Sequence, residues 1–214
     1  MKVAIIKYNA GNVQSVRYAL QRLGIEPILT DDPDEIISAD KVIFPGVGNA
    51  ATAMKYLEER DLHKVIPSLK QPVLGICLGL QLLCSFSEEG NTTCLGIFNS
   101  VVKLFKPLSG AVEGAPLVKV PQVGWNTIYD LKHSASSVHD TPNKNSLFTS
   151  LAPGTYIYYV HSYYAETGPD TIATTDYILS YSAALQKNNY YAVQFHPEKS
   201  GKQGESILKN FLTL

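Results

Sequence analysis

The first half of the sequence alternates short apolar runs with segments of helical periodicity. Runs at 2–8, 41–46 and 71–76 are rich in β-branched residues, and apolar side chains at helical spacing follow each of them. Strands that alternate with helices are joined by right-handed crossovers, and they form a parallel sheet covered on both faces. This pattern therefore predicts an α/β fold.

Helices are predicted after each of these strands and at the end of the chain. The first begins at Val13 and ends at Gly24, a residue suited to a helix C-terminus. The second covers 50–59, the third covers 78–86, and the last covers 202–212 with its apolar residues on one face. Each predicted helix therefore has an apolar side that a sheet could cover.

The second half is β-rich with few helical patterns between the runs, so part of the sheet is predicted to be antiparallel. We expect an open, mixed, mostly parallel sheet with helices on both faces and an antiparallel portion in the C-terminal half. The 214 residues, 45% of them hydrophobic, can bury one full core, so we expect a single domain over 1–214. The polar stretch 132–146 is predicted to be an exposed loop.

Composition argues against several classes of function. The net charge of −1 gives no broad basic field, so neither nucleic acid nor an anionic membrane is an expected partner. The N-terminus does not resemble a signal peptide, and no apolar run approaches the roughly 18 residues of a spanning helix. The three cysteines lack paired spacing, which argues against a disulfide framework and a zinc site. We therefore expect a cytoplasmic protein without a metal.

The segment GICLGLQLL, residues 75–83, places Cys77 where an apolar strand meets a helix. Gly75 and Gly79 flank the cysteine in the G-x-C-x-G spacing of a nucleophile elbow, which is best known with serine. The N-terminus of the following helix would favour a thiolate at this position. The alternative is a core cysteine beside two packing glycines, because a free cysteine packs as a small hydrophobe.

A nucleophilic thiol needs a base and a group that orients the base. The segment VQFHPEKS places His196 at the end of an apolar strand, followed by a proline and Glu198. Because a residue before proline is extended, Glu198 is expected on the same side as His196, where it can bind the ring. His161 is interpreted as a strand histidine with satisfied hydrogen bonds. His63, His133 and His139 are interpreted as solvated side chains.

A third segment, FPGVGNA at 44–50, is another strand end that opens into a loop. Acyl transfer through a thiolate needs donors for the oxyanion. The N–H of Leu78, directly after the cysteine, is one candidate, and a backbone N–H of the loop 46–48 is the other. Alone, the P-G-x-G sequence is equally compatible with a simple turn.

Together these segments resemble the class-I, or triad, glutamine amidotransferases. The features that carry the resemblance span most of the chain: PGVG, GICLGLQLL, PQVGWN, YYVHSYYA and QFHPEKS. The resemblance implies that Cys77 attacks the side-chain amide of glutamine while His196 transfers protons and Glu198 orients the ring. It also implies oxyanion donors at Leu78 and, after a rearrangement, at Val47, and it implies no cofactor.

Within the family the motifs are most similar to glutaminase subunits that form a heterodimer with a (β/α)₈-barrel cyclase. This similarity implies a glutamine pocket at Gly48, Gln81, Glu89, Ser162 and Tyr163, and a partner interface at Tyr158, Lys199, Trp125 and Asn126. The Trp125 segment and the tyrosines near it could instead be core and strand-face packing. Gln122 departs from the histidine expected in relatives, which concerns the interface and not the triad.

Three alternatives remain open on the sequence. The chain could serve a different synthase, although such subunits typically carry a P-G-G loop where this chain has Val47 between the glycines. It could be a non-catalytic subunit on the same fold, although the intact triad argues against this. It could also be a stand-alone cysteine hydrolase, which would turn over a glutamyl amide without any partner.

Overall fold

The computed structural model describes residues 1–8, 11–106, 119–132 and 146–214. The helices are α1 (Val13–Arg22), α2 (Pro33–Ile37), α3 (Ala50–Glu59), α4 (Leu62–Ser68), α5 (Leu78–Leu83) and α6 (Gly201–Thr213), with a 3₁₀ turn at Pro197–Lys199. The strands are β1 (Val3–Ile6), β2 (Ile28–Thr30), β3 (Lys41–Phe44), β4 (Val73–Ile76), β5 (Phe86–Ser87), β6 (Thr92–Thr93), β7 (Val101–Leu104), β8 (Gln122–Ile128), β9 (Thr155–His161), β10 (Tyr163–Ala165), β11 (Thr171–Asp176), β12 (Ser180–Lys187) and β13 (Tyr190–Val193).

The largest sheet among the described residues has seven strands in the order β11-β12-β13-β4-β3-β1-β2. Strands β13, β4, β3, β1 and β2 run parallel, whereas β12 pairs antiparallel with both β11 and β13. The parallel part has the order of a doubly wound, flavodoxin-like sheet. This arrangement confirms the predicted mixed sheet and its antiparallel C-terminal portion.

Apolar side chains cover both faces of this sheet. On one face the buried residues of α3, α4 and α5 pack together with Ile36 of α2. On the other face the buried residues of α1 and α6 pack with the aromatic side chains of the C-terminal strands. Parallel strands that are buried on both faces read as continuous apolar runs, as β1, β3 and β4 do. The prediction of helices on both faces is therefore confirmed.

Smaller β elements lie beside the main sheet. Strands β10, β7, β5 and β6 form one sheet, and β8 pairs antiparallel with β9 to form a two-stranded ribbon. We call this pair the β8–β9 ribbon. Trp125 on β8 pairs with Tyr158 on β9, and the inner face of the ribbon carries the buried Ile157 and Tyr159. The ribbon therefore joins the core on one face and leaves the other face outward.

One predicted helix is longer than the helix in the structure. The helix predicted over 78–86 ends at Leu83, because Cys84 is extended and Phe86 pairs with neighbouring strands in β5. The predicted loop 132–146 lies outside the described residues except for its two end residues, as do His133 and His139. In the part of the chain that the structure describes, no helix has the length and apolar character needed to cross a bilayer.

The strand order brings four chain segments to one edge of the sheet. Asn12 follows β1, the loop 45–48 follows β3, Cys77 follows β4, and the segment 194–198 follows β13. These four strands are consecutive neighbours in the order β13-β4-β3-β1. Open parallel sheets bind ligands beyond the carboxyl ends of their strands, so this edge is where a site is expected.

Candidate active site

Cys77 lies in a tight turn between β4 and α5, with φ of 53° and ψ of −105°. Positive φ is uncommon for a residue with a side chain, so the surrounding structure must hold this conformation. A Cβ on Gly79 would lie 1.8 Å from the Phe44 carbonyl oxygen, and one on Gly75 would lie 2.7 Å from a Leu83 methyl carbon. Both glycines are therefore required by the close approach of α5 to β3 and β4, which explains the G-x-C-x-G spacing.

The Cys77 sulfur lies at the wall of a pocket and contacts two polar groups. The side chain of Gln194 donates to Sγ at 3.7 Å, and Sγ lies 3.8 Å from the Val160 carbonyl oxygen. Cys77 is only 5% exposed and lines this pocket. A buried sulfur with an amide N–H directed at it is suited to carry a negative charge.

His196 and Glu198 form the buried ion pair that the sequence predicts. The Nδ1 atom of His196 lies 2.7 Å from Glu198 Oε1, and both side chains are 0% exposed. Glu198 reaches the ring from the 3₁₀ turn Pro197–Lys199, and not from the extended conformation that the proline suggested. His196 itself is extended. Among the described residues, its Nε2 atom is buried without a hydrogen-bond partner.

The charge state of His196 depends on Cys77. Burial by itself lowers the pKa of His196, but the negative charge and hydrogen-bonding capacity of the Cys77 sulfur, followed by those of Glu198, raise it to about 10. The histidine is therefore protonated at neutral pH and faces the sulfur as an imidazolium. His196 is thus able to act as an acid toward a molecule bound beside Cys77.

Asn12 also belongs to this cluster, although no sequence motif predicted it. Its side-chain Nδ2 donates to Glu198 Oε1 and lies 3.2 Å from His196 Nδ1. Asn12 has φ of 71°, a conformation that asparagine tolerates better than most residues. It therefore links the turn after β1 to the histidine and the glutamate.

A pocket of about 440 Å³, part of it open to solvent, contains the Cys77 sulfur. Its lining includes every residue predicted for the glutamine pocket and for the oxyanion donors: Val47, Gly48, Cys77, Leu78, Gln81, Glu89, Ser162 and Tyr163, together with Val160 and His161. Glu89 is half-buried in it and accepts the Ala50 N–H at 2.7 Å. Burial raises the pKa of Glu89, and the Ala50 hydrogen bond opposes this.

Gln81 and Gln194 connect the pocket to the nucleophile. The side-chain Nε2 of Gln81 donates to the Tyr163 carbonyl at 2.9 Å and to Gln194 Oε1 at 3.2 Å. Because Gln194 Oε1 accepts this hydrogen bond, its Nε2 is the atom that faces the Cys77 sulfur. Gln194 is 0% exposed and was not among the site residues predicted from the sequence.

The expected oxyanion donor at Leu78 is already engaged. Its backbone N–H donates to the Gly46 carbonyl at 3.2 Å. Because the N–H and the carbonyl of one peptide point in opposite directions, the N–H of Val47 points away from Leu78. The loop 45–48, which we call the oxyanion loop, therefore adopts an orientation in which neither predicted donor faces the pocket.

His161 is a satisfied strand histidine, as interpreted from the sequence. Its Nδ1 lies 2.8 Å from the Tyr163 carbonyl and its Nε2 lies 3.0 Å from the Tyr181 hydroxyl. Burial lowers its pKa to about 4, so it stays neutral. Gln122 lies at the end of this buried chain and contacts the Tyr181 hydroxyl at 2.8 Å.

The predicted interface residues lie on two different faces. Trp125 is 55% exposed on the outer face of the β8–β9 ribbon, and its ring packs edge-on against Tyr158 at 6.0 Å. Asn126 points to the opposite face, where its amide donates to the Asp176 carbonyl. Lys199 is exposed in the 3₁₀ turn beside the triad. The structure therefore groups Trp125 with Tyr158 and separates Asn126 from them.

Within the described ranges, no cluster of three or more histidine, cysteine, aspartate or glutamate side chains could hold a metal ion. The site itself offers a cysteine thiol, a histidine held by a carboxylate, and amide groups beside an open pocket. Such a set is suited to acyl transfer through a thioester.

The chain is similar in sequence to known proteins over its whole length. The family model described as "Glutamine amidotransferase class-I" matches residues 4–214. Proteins named "Imidazole glycerol phosphate synthase subunit HisH" are 53% identical in Bacteroides fragilis and 50% identical in Bacteroides thetaiotaomicron over 214 residues, and 43% identical in Yersinia pestis over 215 residues. Each alignment covers 100% of both chains.

Solved structures share the fold at low identity. A glutamine amidotransferase structure superposes with a TM-score of 0.65 at 16% identity and covers 100% of this chain and 98% of its own. A glutamine amidotransferase from Thermotoga maritima superposes with a TM-score of 0.62 at 15% identity and covers 100% and 83%. At such low identity these likenesses concern the fold alone.

Proposed function

The chain belongs to the class-I glutamine amidotransferase family, and on that premise we propose that it is the glutaminase subunit of an imidazole glycerol phosphate synthase. Its full-length relatives at 43–53% identity carry that name. The observation that carries the proposal is that Cys77 lines a pocket at the carboxyl edge of the sheet, while the buried His196–Glu198 pair lies at the same edge. We propose that 1–214 acts as a single amidotransferase domain.

In the first half-reaction, the Cys77 thiolate attacks the side-chain amide carbon of glutamine. A C–S bond forms, the amide C–N bond breaks, and the leaving nitrogen takes a proton from the His196 imidazolium. The products are a glutamyl thioester and ammonia. The raised pKa of His196 supports this assignment, because the imidazole is already protonated before the substrate binds.

In the second half-reaction, the neutral His196 takes a proton from water, whose oxygen attacks the thioester carbon. The C–S bond breaks, glutamate leaves, and the thiolate faces an imidazolium again. Glu198 holds the ring through Nδ1 in both halves, which leaves Nε2 for proton transfer. Asn12 supports that carboxylate, and Gln194 supports the thiolate.

The glutamine side chain must bring its amide to Cys77, so its charged end binds further out in the pocket. Glu89 offers a carboxylate there for the substrate ammonium group, and Gly48, Ser162 and Tyr163 offer polar backbone and side-chain atoms. Gln81 shapes the inner end through its contacts to Tyr163 and Gln194.

The described orientation of the oxyanion loop is a resting state in this proposal. Turning over the Gly46–Val47 peptide would free the Leu78 N–H and direct the Val47 N–H at the oxyanion. Val47 is not among the described residues with positive φ, and such a turn rotates its φ toward positive values. A β-branched residue there costs about 1–3 kcal/mol. The resting state is therefore favoured until a partner compensates that cost.

The partner in this proposal is a (β/α)₈-barrel cyclase subunit, which receives the ammonia. There the ammonia reacts with a phosphoribulosyl-formimino carboxamide nucleotide and gives imidazole glycerol phosphate and an aminoimidazole carboxamide ribotide, a step of histidine biosynthesis. Trp125 presents an exposed aromatic ring for docking and packs against the partly buried Tyr158, and Lys199 lies near the triad. This position would let docking act on the pocket.

The test is glutamine hydrolysis by the purified chain, alone and with a cognate cyclase subunit and its nucleotide ligand. Weak hydrolysis alone and strong stimulation by the complex support the proposal. Full turnover without a partner would indicate a stand-alone hydrolase. Stimulation only by a different synthase subunit would place the chain in another pathway, and no turnover under any condition would indicate a non-catalytic subunit.

A further inference from the structure

Three consecutive carbonyl groups of the oxyanion loop each accept a hydrogen bond, two from residues that follow β1 and one from the first residue of α5. The Tyr8 hydroxyl donates to the Pro45 carbonyl at 2.5 Å. The Leu78 N–H donates to the Gly46 carbonyl at 3.2 Å, and the Gly11 N–H donates to the Val47 carbonyl at 3.3 Å. The peptide that blocks the Leu78 N–H thus lies between two peptides that are themselves fixed.

Contacts on the ring and beside the hydroxyl group fix the position of Tyr8. Its ring is 5% exposed, and it packs against Phe44 with the ring centroids 5.3 Å apart. The hydroxyl oxygen occupies the space beside Gly46, where an added Cβ would lie 1.9 Å from it. Burial raises the pKa of Tyr8 well above its ordinary value, so the phenol remains a proton donor.

We propose that Tyr8 is a positioning residue that holds the oxyanion loop in its resting orientation and so suppresses glutamine hydrolysis by the isolated chain. This inference rests on the proposed glutaminase function, and it assigns a role to a side chain outside the triad and the pocket. Tyr8 acts through the loop and does not touch the substrate.

The direction of the effect follows from how a peptide turns over. Rotation of the Gly46–Val47 peptide changes ψ of Gly46 and φ of Val47, and fixed neighbours leave the whole change to these two angles. When the Pro45 carbonyl is released, adjacent angles can absorb part of the change. The active orientation then becomes more accessible, because Val47 needs a smaller excursion toward positive φ.

The experiment is Tyr8→Phe, which keeps the ring and removes the hydroxyl. In the absence of partner, we expect kcat for glutamine to rise about 3- to 10-fold, the worth of one buried hydrogen bond, with KM unchanged. A merely structural role would lower activity, so a gain in kcat with unchanged KM separates the two. Activity in the full complex should stay near that of the wild type, because there the loop has already turned.

The matched control is Tyr190→Phe. Tyr190 is also 5% exposed, and its hydroxyl donates to the Ile66 carbonyl at 2.8 Å, but it lies at the start of β13, at the opposite edge of the sheet. This variant loses the same kind of hydrogen bond without touching the loop. An equal rise in partner-free kcat for Tyr190→Phe would overturn the proposal, since general loosening would then explain both variants.

A second readout does not depend on catalysis. Hydrogen exchange of the Leu78 amide reports the bond to Gly46, and we expect it to accelerate in Tyr8→Phe and to stay unchanged in Tyr190→Phe. Unchanged exchange at Leu78 with unchanged partner-free kcat would overturn the role of Tyr8. If the wild type hydrolyses no glutamine even with its partner, the proposed function fails, and the exchange rate alone then supports or overturns the role of Tyr8 in holding the loop.

Discussion

Cys77 is the residue on which the chemistry of this site depends, and its backbone conformation shows how strongly the fold controls it. A side chain at positive φ persists only where the surrounding structure holds it. Here the closeness of Gly79 to the Phe44 carbonyl fixes α5 against β3, and the cysteine lies in the turn that joins β4 to α5. The strain therefore marks a position selected for its direction toward the pocket.

Cys77→Ala is expected to remove glutamine hydrolysis completely while the cyclase complex still works on added ammonium salts. The reason is that Cys77 is the group that attacks the glutamine amide in the proposed reaction, whereas cyclisation belongs to the other chain. The measurement compares product formation with glutamine and with ammonia. Glutamine-dependent turnover above the uncatalysed background would remove Cys77 from its role.

The control for this variant is Cys84→Ala. Cys84 is buried and its thiol faces the Leu80 carbonyl, away from the pocket. Its loss should reduce stability by on the order of 1–2 kcal/mol and leave glutamine turnover intact. A large loss of activity in this control would show that α5 tolerates no change on either face.

The raised pKa of His196 predicts a particular dependence of stability on pH. The imidazolium contributes stability that is fully present below its unfolded value of 6.5, and this contribution is lost as pH rises through about 10. Cys77→Ala removes the charge that raises this pKa, so the decline should shift to lower pH. Urea unfolding across this range, combined with NMR titration of the ring, measures both effects. Identical titration in the two proteins would mean that no thiolate–imidazolium pair exists.

At the scale of the element, the elbow requires two helix–strand contacts that only glycine allows. Gly79→Ala should destabilise the protein by about 3 kcal/mol or more, because the new Cβ would meet a backbone oxygen that cannot move away. For a chain of this size, that corresponds to a drop in the unfolding temperature of about 6–12 °C. Calorimetry or thermal circular dichroism measures it.

Gly168→Ala is the matched control, since a Cβ there would meet only the Ser100 hydroxyl at an ordinary 3.7 Å. We expect its unfolding temperature to stay close to that of the wild type. If both variants unfold at similar temperatures, α5 can shift away from β3, and the elbow is looser than the structure indicates.

Elements with strong periodicity could be predicted from the sequence, and weak ones could not. The helix predicted over 50–59 coincides with α3, which Asn49 caps at its N-terminus. The prediction missed β2, a three-residue strand whose first two side chains are exposed, and α4, which contains Pro67. It also missed α2, although an Asp32 cap followed by proline was a readable signal.

The same limit applies to the candidate site. The triad residues were predicted because they lie in two compact motifs, whereas the pocket residues were inferred from the resemblance to the family. Asn12 and Gln194 were missed because their roles come from contacts across 184 and 117 residues of chain, respectively. Gln194 did give one signal, since a polar residue within an apolar strand needs a buried partner. The sequence could not say that the partner would be the sulfur.

At the scale of the whole molecule, the outer face of the β8–β9 ribbon is the surface through which a partner could reach the site. Trp125→Ala is expected to weaken assembly with the cyclase at least about 10-fold, because a central aromatic anchor contributes much of an interface's energy. Calorimetry or fluorescence titration gives the affinity, and stimulated turnover should recover at saturating partner.

Ile37→Ala is the control for this surface. Ile37 is 53% exposed, similar to Trp125, but it lies at the end of α2, before β3 begins and away from the carboxyl edge. Its substitution should leave assembly unchanged. A comparable loss of affinity in both variants would place the partner elsewhere, and unchanged affinity for Trp125→Ala would remove the ribbon from the interface.

The carbonyl of Gly46 occupies the donor that a reacting glutamine would need, and it is tethered to the same chain. The carbonyl therefore competes with the substrate oxyanion for the Leu78 N–H. Because it is part of the same chain, its effective concentration is fixed by the geometry of the loop. More glutamine fills the pocket but does not change the ratio of the two loop orientations, unless glutamine prefers one of them. The hydrogen bond between Leu78 and Gly46 should thus lower kcat for glutamine and leave KM unchanged. A cell with a high glutamine concentration would therefore not lose glutamine to hydrolysis uncoupled from synthesis. The release of the Leu78 N–H from the Gly46 carbonyl depends on the partner and not on the glutamine concentration.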